Sequence, residues 1–183
     1  MSDVPKPIVQ KDSPVLRRVA SVVPTDLFNS PELDRLIRDM SEALDGQPEG
    51  VALAAPQIGV SMRLFIVRVD RTLSAEEIEK RGLEPAEVPP QVEVYLNPEI
   101  IKTSRKRANA DEGCLSVKGV YGTTHPHERV TLRAQRADGT TFERGAGGLM
   151  AQIFEHEVSH LNGILFIDHA DNLFDIPHDE DSK

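Results

Sequence analysis

The chain has 183 residues, 39% of them hydrophobic, and a formal net charge of −9 with a pI near 5.1. That length suits a single domain with its own core, and the acidity argues against DNA or RNA as the main ligand. No apolar run reaches the roughly 18 residues that a membrane span needs, no basic stretch followed by an apolar core opens the chain, and one cysteine, Cys114, excludes an internal disulfide, so a cytoplasmic setting is expected.

The opening stretch, IVQKDSPVLRRVASVV, reads as an irregular arm with turn signals at Asp12, Ser13 and Pro14. In SPELDRLIRDMSEALDG, Ser30 can cap a helix and Pro31 suits its first position. Leu33, Leu36, Ile37, Met40 and Leu44 then recur at helical spacing, and Gly46 is placed to stop the helix. Residues 62–70, MRLFIVRVD, read as a strand. Residues 72–91 are charged and proline-interrupted, which predicts an exposed, mobile insertion with room for a short helix. VEVYLNPEI resumes extended structure and is expected to break at Asn97-Pro98. Alternation on both sides of Asp138-Gly139 predicts a hairpin. Helical spacing runs from Gly148 to Asn162, with Gly163 as its stop. ILFIDH reads as a short strand, and the acidic tail, residues 171–183, is expected to fray. There is no internal repeat, and short strands around two helices predict an α+β domain with largely antiparallel sheet.

Three segments carry chemistry. On the last helix, His156 and His160 stand at i and i+4, so their rings can converge on one ion with Glu157 beside them. Composition alone gives roughly 0.02 expected HExxH matches in a chain like this; the bland alternative is a helix with two incidental histidines. DEGCLS, residues 111–116, holds Cys114. A thiolate and two imidazoles make a three-ligand set with a fourth position left for water, whereas taken singly Cys114 reads as a small buried hydrophobe. GVALAAPQIGV, residues 50–60, is rich in small residues that let backbone approach closely, and it brings Gln57; alone it reads as a packed loop ahead of a strand.

Taken together and in this order, Gly50–Gln57, Glu112–Ser116 and His156–Leu161 resemble the motifs of peptide deformylases. The likeness extends to PVLRRVASVV, YLNPEI and NGILFID, from about Ile8 to Asp168. The resemblance implies mostly antiparallel sheets packed around the HExxH helix. It implies Cys114, His156 and His160 as ligands of one divalent metal, Fe(II) in the cell with zinc, nickel or cobalt as substitutes. Glu157 would be the general base, with the Gln57 amide and the Leu115 backbone N–H stabilising the oxyanion. Gly50, Val51, Ala52, Glu112 and Gly113 would line the peptide groove. The implied reaction removes the formyl group from N-formylated nascent peptides and releases formate. No counterpart of a ribosome-docking helix is visible in DNLFDIPHDEDSK, and its acidity would repel RNA, so ribosome contact is expected to be transient at most.

Some positions depart from the family pattern. Ala52 stands for a glycine, Glu155 for a glutamine and Ser159 for an aspartate, while Tyr121 and Pro126 fall where arginines are usual. If the missing aspartate and the second arginine normally pair, this chain has lost both together and keeps no orphan charge. These changes bear on substrate preference and rate. His125 and His127 read as solvated loop residues, and His169 and His178 as surface. Two rivals stand beside the deformylase reading. One is an HExxH zinc metallopeptidase with Asp168 or His169 as third ligand, which leaves EGCLS unexplained. The other is a deformylase-like protein that serves a specialised formylated substrate or binds without turnover.

Overall fold

The computed structural model describes residues 5–176. Among the described residues, eight strands form two antiparallel sheets. The larger contains β1 (Ala52–Ala54), β2 (Leu64–Arg68), β3 (Val92–Thr103), β6 (Arg129–Gln135) and β7 (Thr141–Gly147), in the order β1-β2-β3-β6-β7. The smaller contains β4 (Ala110–Cys114), β5 (Val117–Thr124) and β8 (Asp171–Asp175), with β5 in the middle. The helices are α1 (Pro31–Asp45), α2 (Ala75–Lys80) and α3 (Gly148–Leu161). The α+β architecture expected from the sequence is the one observed.

Strand β2 explains how the layers are organised. All five of its residues are buried, because helices cover both faces of the larger sheet. Leu64 and Ile66 point toward the apolar stripe of α1, where they join Leu33, Met40 and Leu44. Phe65 and Val67 point the other way, toward Phe154, Val158 and Leu161 of α3. Phe65 stacks on Tyr95 with ring centroids 4.7 Å apart, and Phe154 meets Tyr95 edge-on at 5.1 Å. Burying one such ring contributes about 1.5–3 kcal/mol. The effect is to fix α3 against the sheet along the turns that carry His156 and His160.

Several local expectations hold. Ser30 Oγ accepts the N–H of Leu33 at 3.1 Å, with Pro31 next in the helix. The β6–β7 hairpin turns at Asp138-Gly139. The 72–91 segment carries α2 and is largely exposed. Gly163 adopts φ +74° just past α3, and a side chain there would press on the Arg17 backbone at 2.9 Å.

Three expectations are corrected. Strand β3 does not break at Asn97-Pro98 but bulges and continues. Asn97 takes φ 49°, and its side chain bonds both backbone groups of Val23 as well as Gln135. ILFIDH is not a strand: residues 166–168 form a short 3-10 turn, with Asp168 accepting the N–H of Leu165 at 3.0 Å and two bonds from Arg17. The tail that was expected to fray supplies β8, which pairs with β5; its remainder, residues 177–183, lies outside the described residues, as does His178.

Candidate metal centre

The ligand candidates come from two elements that the smaller sheet and α3 bring face to face. Strand β4 delivers Cys114, after which Leu115 and Ser116 turn the chain into β5. One turn of α3 separates His156 from His160. Cys114 Sγ lies 3.2 Å from His160 Nε2, which lies 3.1 Å from His156 Nε2, and the three ligand atoms fall within 4.8 Å of one another. A tetrahedral cation with bonds of ordinary length spaces such donors about 3.3–3.6 Å apart, so the set accepts one ion with a few tenths of an ångström of opening. The His156 ring is held by a hydrogen bond between its Nδ1 and the Glu112 carboxylate, whose second oxygen takes the Thr124 hydroxyl.

Gln57 sits in a 3-10 turn directly after β1 and is buried. Its Oε1 accepts the N–H of Ala54 at 2.9 Å, and its Nε2 reaches Ser116 Oγ at 3.2 Å and Cys114 Sγ at 3.7 Å. A groove of about 590 Å³ runs past this cluster. Gly50, Val51, Ala52, Gln57, Glu112, Gly113, Cys114, Leu115, His156 and Glu157 all line it, so every candidate except His160 faces one space. His160 closes the back of the centre and borders a smaller cavity of about 120 Å³.

The family model of polypeptide deformylase matches residues 5–174. The chain belongs to the polypeptide deformylase family. A peptide deformylase of Salinibacter ruber is 40% identical over 145 residues, covering 79% of this chain and 71% of the relative. One from Heliobacterium modesticaldum is 38% identical over 165 residues, 90% and 93% of the two chains. Among solved structures, a class I type b peptide deformylase from Acinetobacter baumannii with Met-Ala-Ser bound matches at TM-score 0.77 and 30% identity, covering 92% of this chain and 99% of that one. A plant peptide deformylase matches at TM-score 0.76 and 29% identity, covering 94% and 84%. This deformylase is therefore a hydrolase of a family that uses a single divalent metal, and the Cys114, His156 and His160 cluster could hold one. No helix among the described residues is long and apolar enough to cross a membrane.

The deformylase centre carries positive charge of its own on one ligand: burial alone would lower the His156 imidazole, but bonds to Cys114 and Glu112 outweigh it and raise it well above its usual value, so a metal ion would have to displace that proton. Burial pushes the Glu157 carboxyl up to about 7, with His156 pulling it back and Glu112 adding to the rise. Burial, reinforced by His156, drives the His160 imidazole well below its usual value, so that ring is neutral and ready to donate an electron pair. Burial alone would raise the Glu112 carboxyl, but bonding to His156 and Thr124 leaves it below the usual range and therefore anionic. Among the described residues, Glu157 Oε2 and His160 Nδ1 are buried without a hydrogen-bond partner.

Some supporting residues were not visible in the sequence. Ser116 positions both Gln57 and the thiol, since its Oγ accepts from Gln57 Nε2 and its N–H points to Sγ at 3.4 Å. Thr124 could have been suspected only from its strand register, two residues beyond the partner of Glu112 and on the same face. His127 is corrected: it is not solvated but partly buried, its backbone N–H and Nδ1 both bonding Glu155. The negative charge that Glu155 brings near the site is thereby engaged. Asp168, a candidate third ligand for a metallopeptidase, is occupied by Arg17. His125 and His169 are exposed, as expected.

Proposed function

We propose that this chain hydrolyses the N-formyl group from the formyl-methionine start of new polypeptides, releasing formate and a free amino terminus. The observation that carries this reading is the meeting of Cys114 Sγ with Nε2 of both α3 histidines beside a groove that also holds Glu157. The Acinetobacter relative bound to Met-Ala-Ser supports a peptide that begins with methionine.

Held by Cys114, His156 and His160, a divalent cation would supply Lewis-acid chemistry and bring the pKa of water toward neutrality. We take Fe(II) as the cation in the cell, with zinc, nickel or cobalt able to replace it. Glu157, through its unpartnered oxygen, takes a proton from the attacking water and passes it to the leaving amine. The Gln57 amide and the Leu115 N–H donate to the carbonyl oxygen as it gains charge, and one such donor is worth about 2.7–4 kcal/mol. Gln57 is already held by Ala54 and Ser116, so little reorganisation is needed. Gly50, Val51, Ala52, Glu112 and Gly113 border the space where an extended peptide lies.

The whole chain is taken as one metallohydrolase domain acting in the cytoplasm, with no role for DNA or a membrane and at most transient contact with the ribosome. The test is anaerobic reconstitution with Fe(II) followed by measurement of formate release from formyl-methionyl peptides. Glu157→Ala should keep the ion and lose turnover. An ion-loaded native chain that releases no formate would reject the reading.

A further inference from the structure

The groove has an aromatic flank that the chemistry above does not use. Gly113 pairs with Tyr121 across β4 and β5, and Tyr121 pairs with Phe174 across β5 and β8. Residues directly opposite in neighbouring strands share a face, so the three form one row leading away from Cys114. The Tyr121 ring lies over Gly113, since a methyl placed on that glycine would stand 2.6 Å from the ring. Tyr121 itself lines the groove. Phe174 stacks on it, centroids 6.1 Å apart at 22°, and is 47% exposed.

Resting on the deformylase reading, we propose that Tyr121 and Phe174 form an apolar shelf selecting an aromatic or large aliphatic side chain at the second or third residue of the formylated peptide. Reach supports this. Adjacent strands lie about 4.8 Å apart, so the Tyr121 ring, which covers Gly113 one residue before Cys114, is within side-chain reach of a peptide running along β4, and Phe174 widens the surface one strand further out. Chemistry supports it as well. A planar ring with a half-exposed neighbour offers stacking and apolar contact, and such a site removes water most favourably with a side chain of matching kind. Neither ring has a formal charge with which to attract an acidic or basic side chain.

The experiment compares kcat/KM of the metal-loaded full chain across formyl-Met-Xaa-Ala and formyl-Met-Ala-Xaa peptides, with Phe, Leu, Ser, Asp or Lys at Xaa. Phe and Leu should exceed Ser and Asp by about 3- to 10-fold at one of the two positions, through KM rather than kcat. Tyr121→Ala should bring that ratio to within twofold of unity. Phe174→Ala, at a half-exposed edge position that spares the core, should reduce it as well and serves if the first variant folds poorly. Formate release with no preference in the native chain, or a preference that survives both substitutions, overturns the shelf alone. No formate from any peptide overturns the deformylase reading along with it.

Discussion

The Glu112 carboxylate hydrogen-bonds Nδ1 of His156, whose Nε2 stands 3.1 Å from that of His160. With a metal ion held at the centre, that bond would keep the remaining proton on Nδ1 and leave Nε2 to offer its lone pair. Because Glu112 stays anionic and also takes the Thr124 hydroxyl, the ring is held from behind by a rigid support. Glu112→Gln should therefore weaken metal affinity by about 10- to 100-fold without unfolding the chain. Competition against a chelator of known affinity measures this, and an unchanged affinity would show that the helix alone orients the ring.

Cys114 separates the deformylase reading from the metallopeptidase one. Its Sγ is the donor that β4 contributes, and Arg17 already holds Asp168. Cys114→Ser should lose most bound metal and formate release while the thermal transition of the metal-free chain stays within a few degrees of native. Metal content and activity that persist in the variant would move the third ligand elsewhere.

Sequence legibility followed the range of the interactions involved. Helix α1 could be read because Ser30, Pro31 and the leucine spacing lie within the helix itself, and the β6–β7 hairpin because Asp138-Gly139 is a local turn. Asn97-Pro98 looked like a break because the partners that make it a bulge, Val23 and Gln135, are remote in sequence. The ILFID segment looked like a strand for the same reason, since its turn is secured by Arg17. In the site, helical period alone paired His156 with His160, while the place of Cys114 needed the resemblance. Thr124, Ser116 and the His127–Glu155 contact depend on strand register and packing, which no local pattern encodes.

Arg68 and Asp70 form a nearly buried bidentate pair, with bonds of 2.9 Å and side-chain exposures of 9% and 10%. Burial alone would raise the Asp70 carboxyl, but bonds from Arg68 and from the Gln91 N–H outweigh it and leave it below its usual value. A carboxyl depressed in the folded state adds stability in full above its unfolded pKa, and that stability is lost as pH falls through the folded one. Asp70→Asn should cost about 1.5–3 kcal/mol at pH 7, because it leaves the buried guanidinium with the exposed Asp45 as its one remaining carboxylate partner. Asp45→Asn, which alters the exposed partner of Arg68, should cost less than about 1 kcal/mol. Urea unfolding from pH 7 to 3 should show the native advantage over Asp70→Asn shrinking below about pH 4; a gap constant across that range would remove the pair from the account.

Ser159 and Pro126 border the same small cavity behind His160, together with Glu112, Glu155 and Arg107. Their adjacency gives the paired loss inferred from the sequence a physical location. A carboxylate added at 159 would enter a confined space that already holds two acidic side chains, while Arg107 Nη1 is committed to the His125 carbonyl at 2.7 Å. Ser159→Asp should thus destabilise the chain by about 1–3 kcal/mol. Pro126→Arg in the same chain should recover most of that loss, because it restores a cation opposite the new carboxylate. A double-mutant cycle read by urea unfolding should give a favourable coupling of about 1–3 kcal/mol. A Ser159→Asp chain as stable as the native one would mean that Arg107 leaves His125 to neutralise the charge, and the pairing idea would fail.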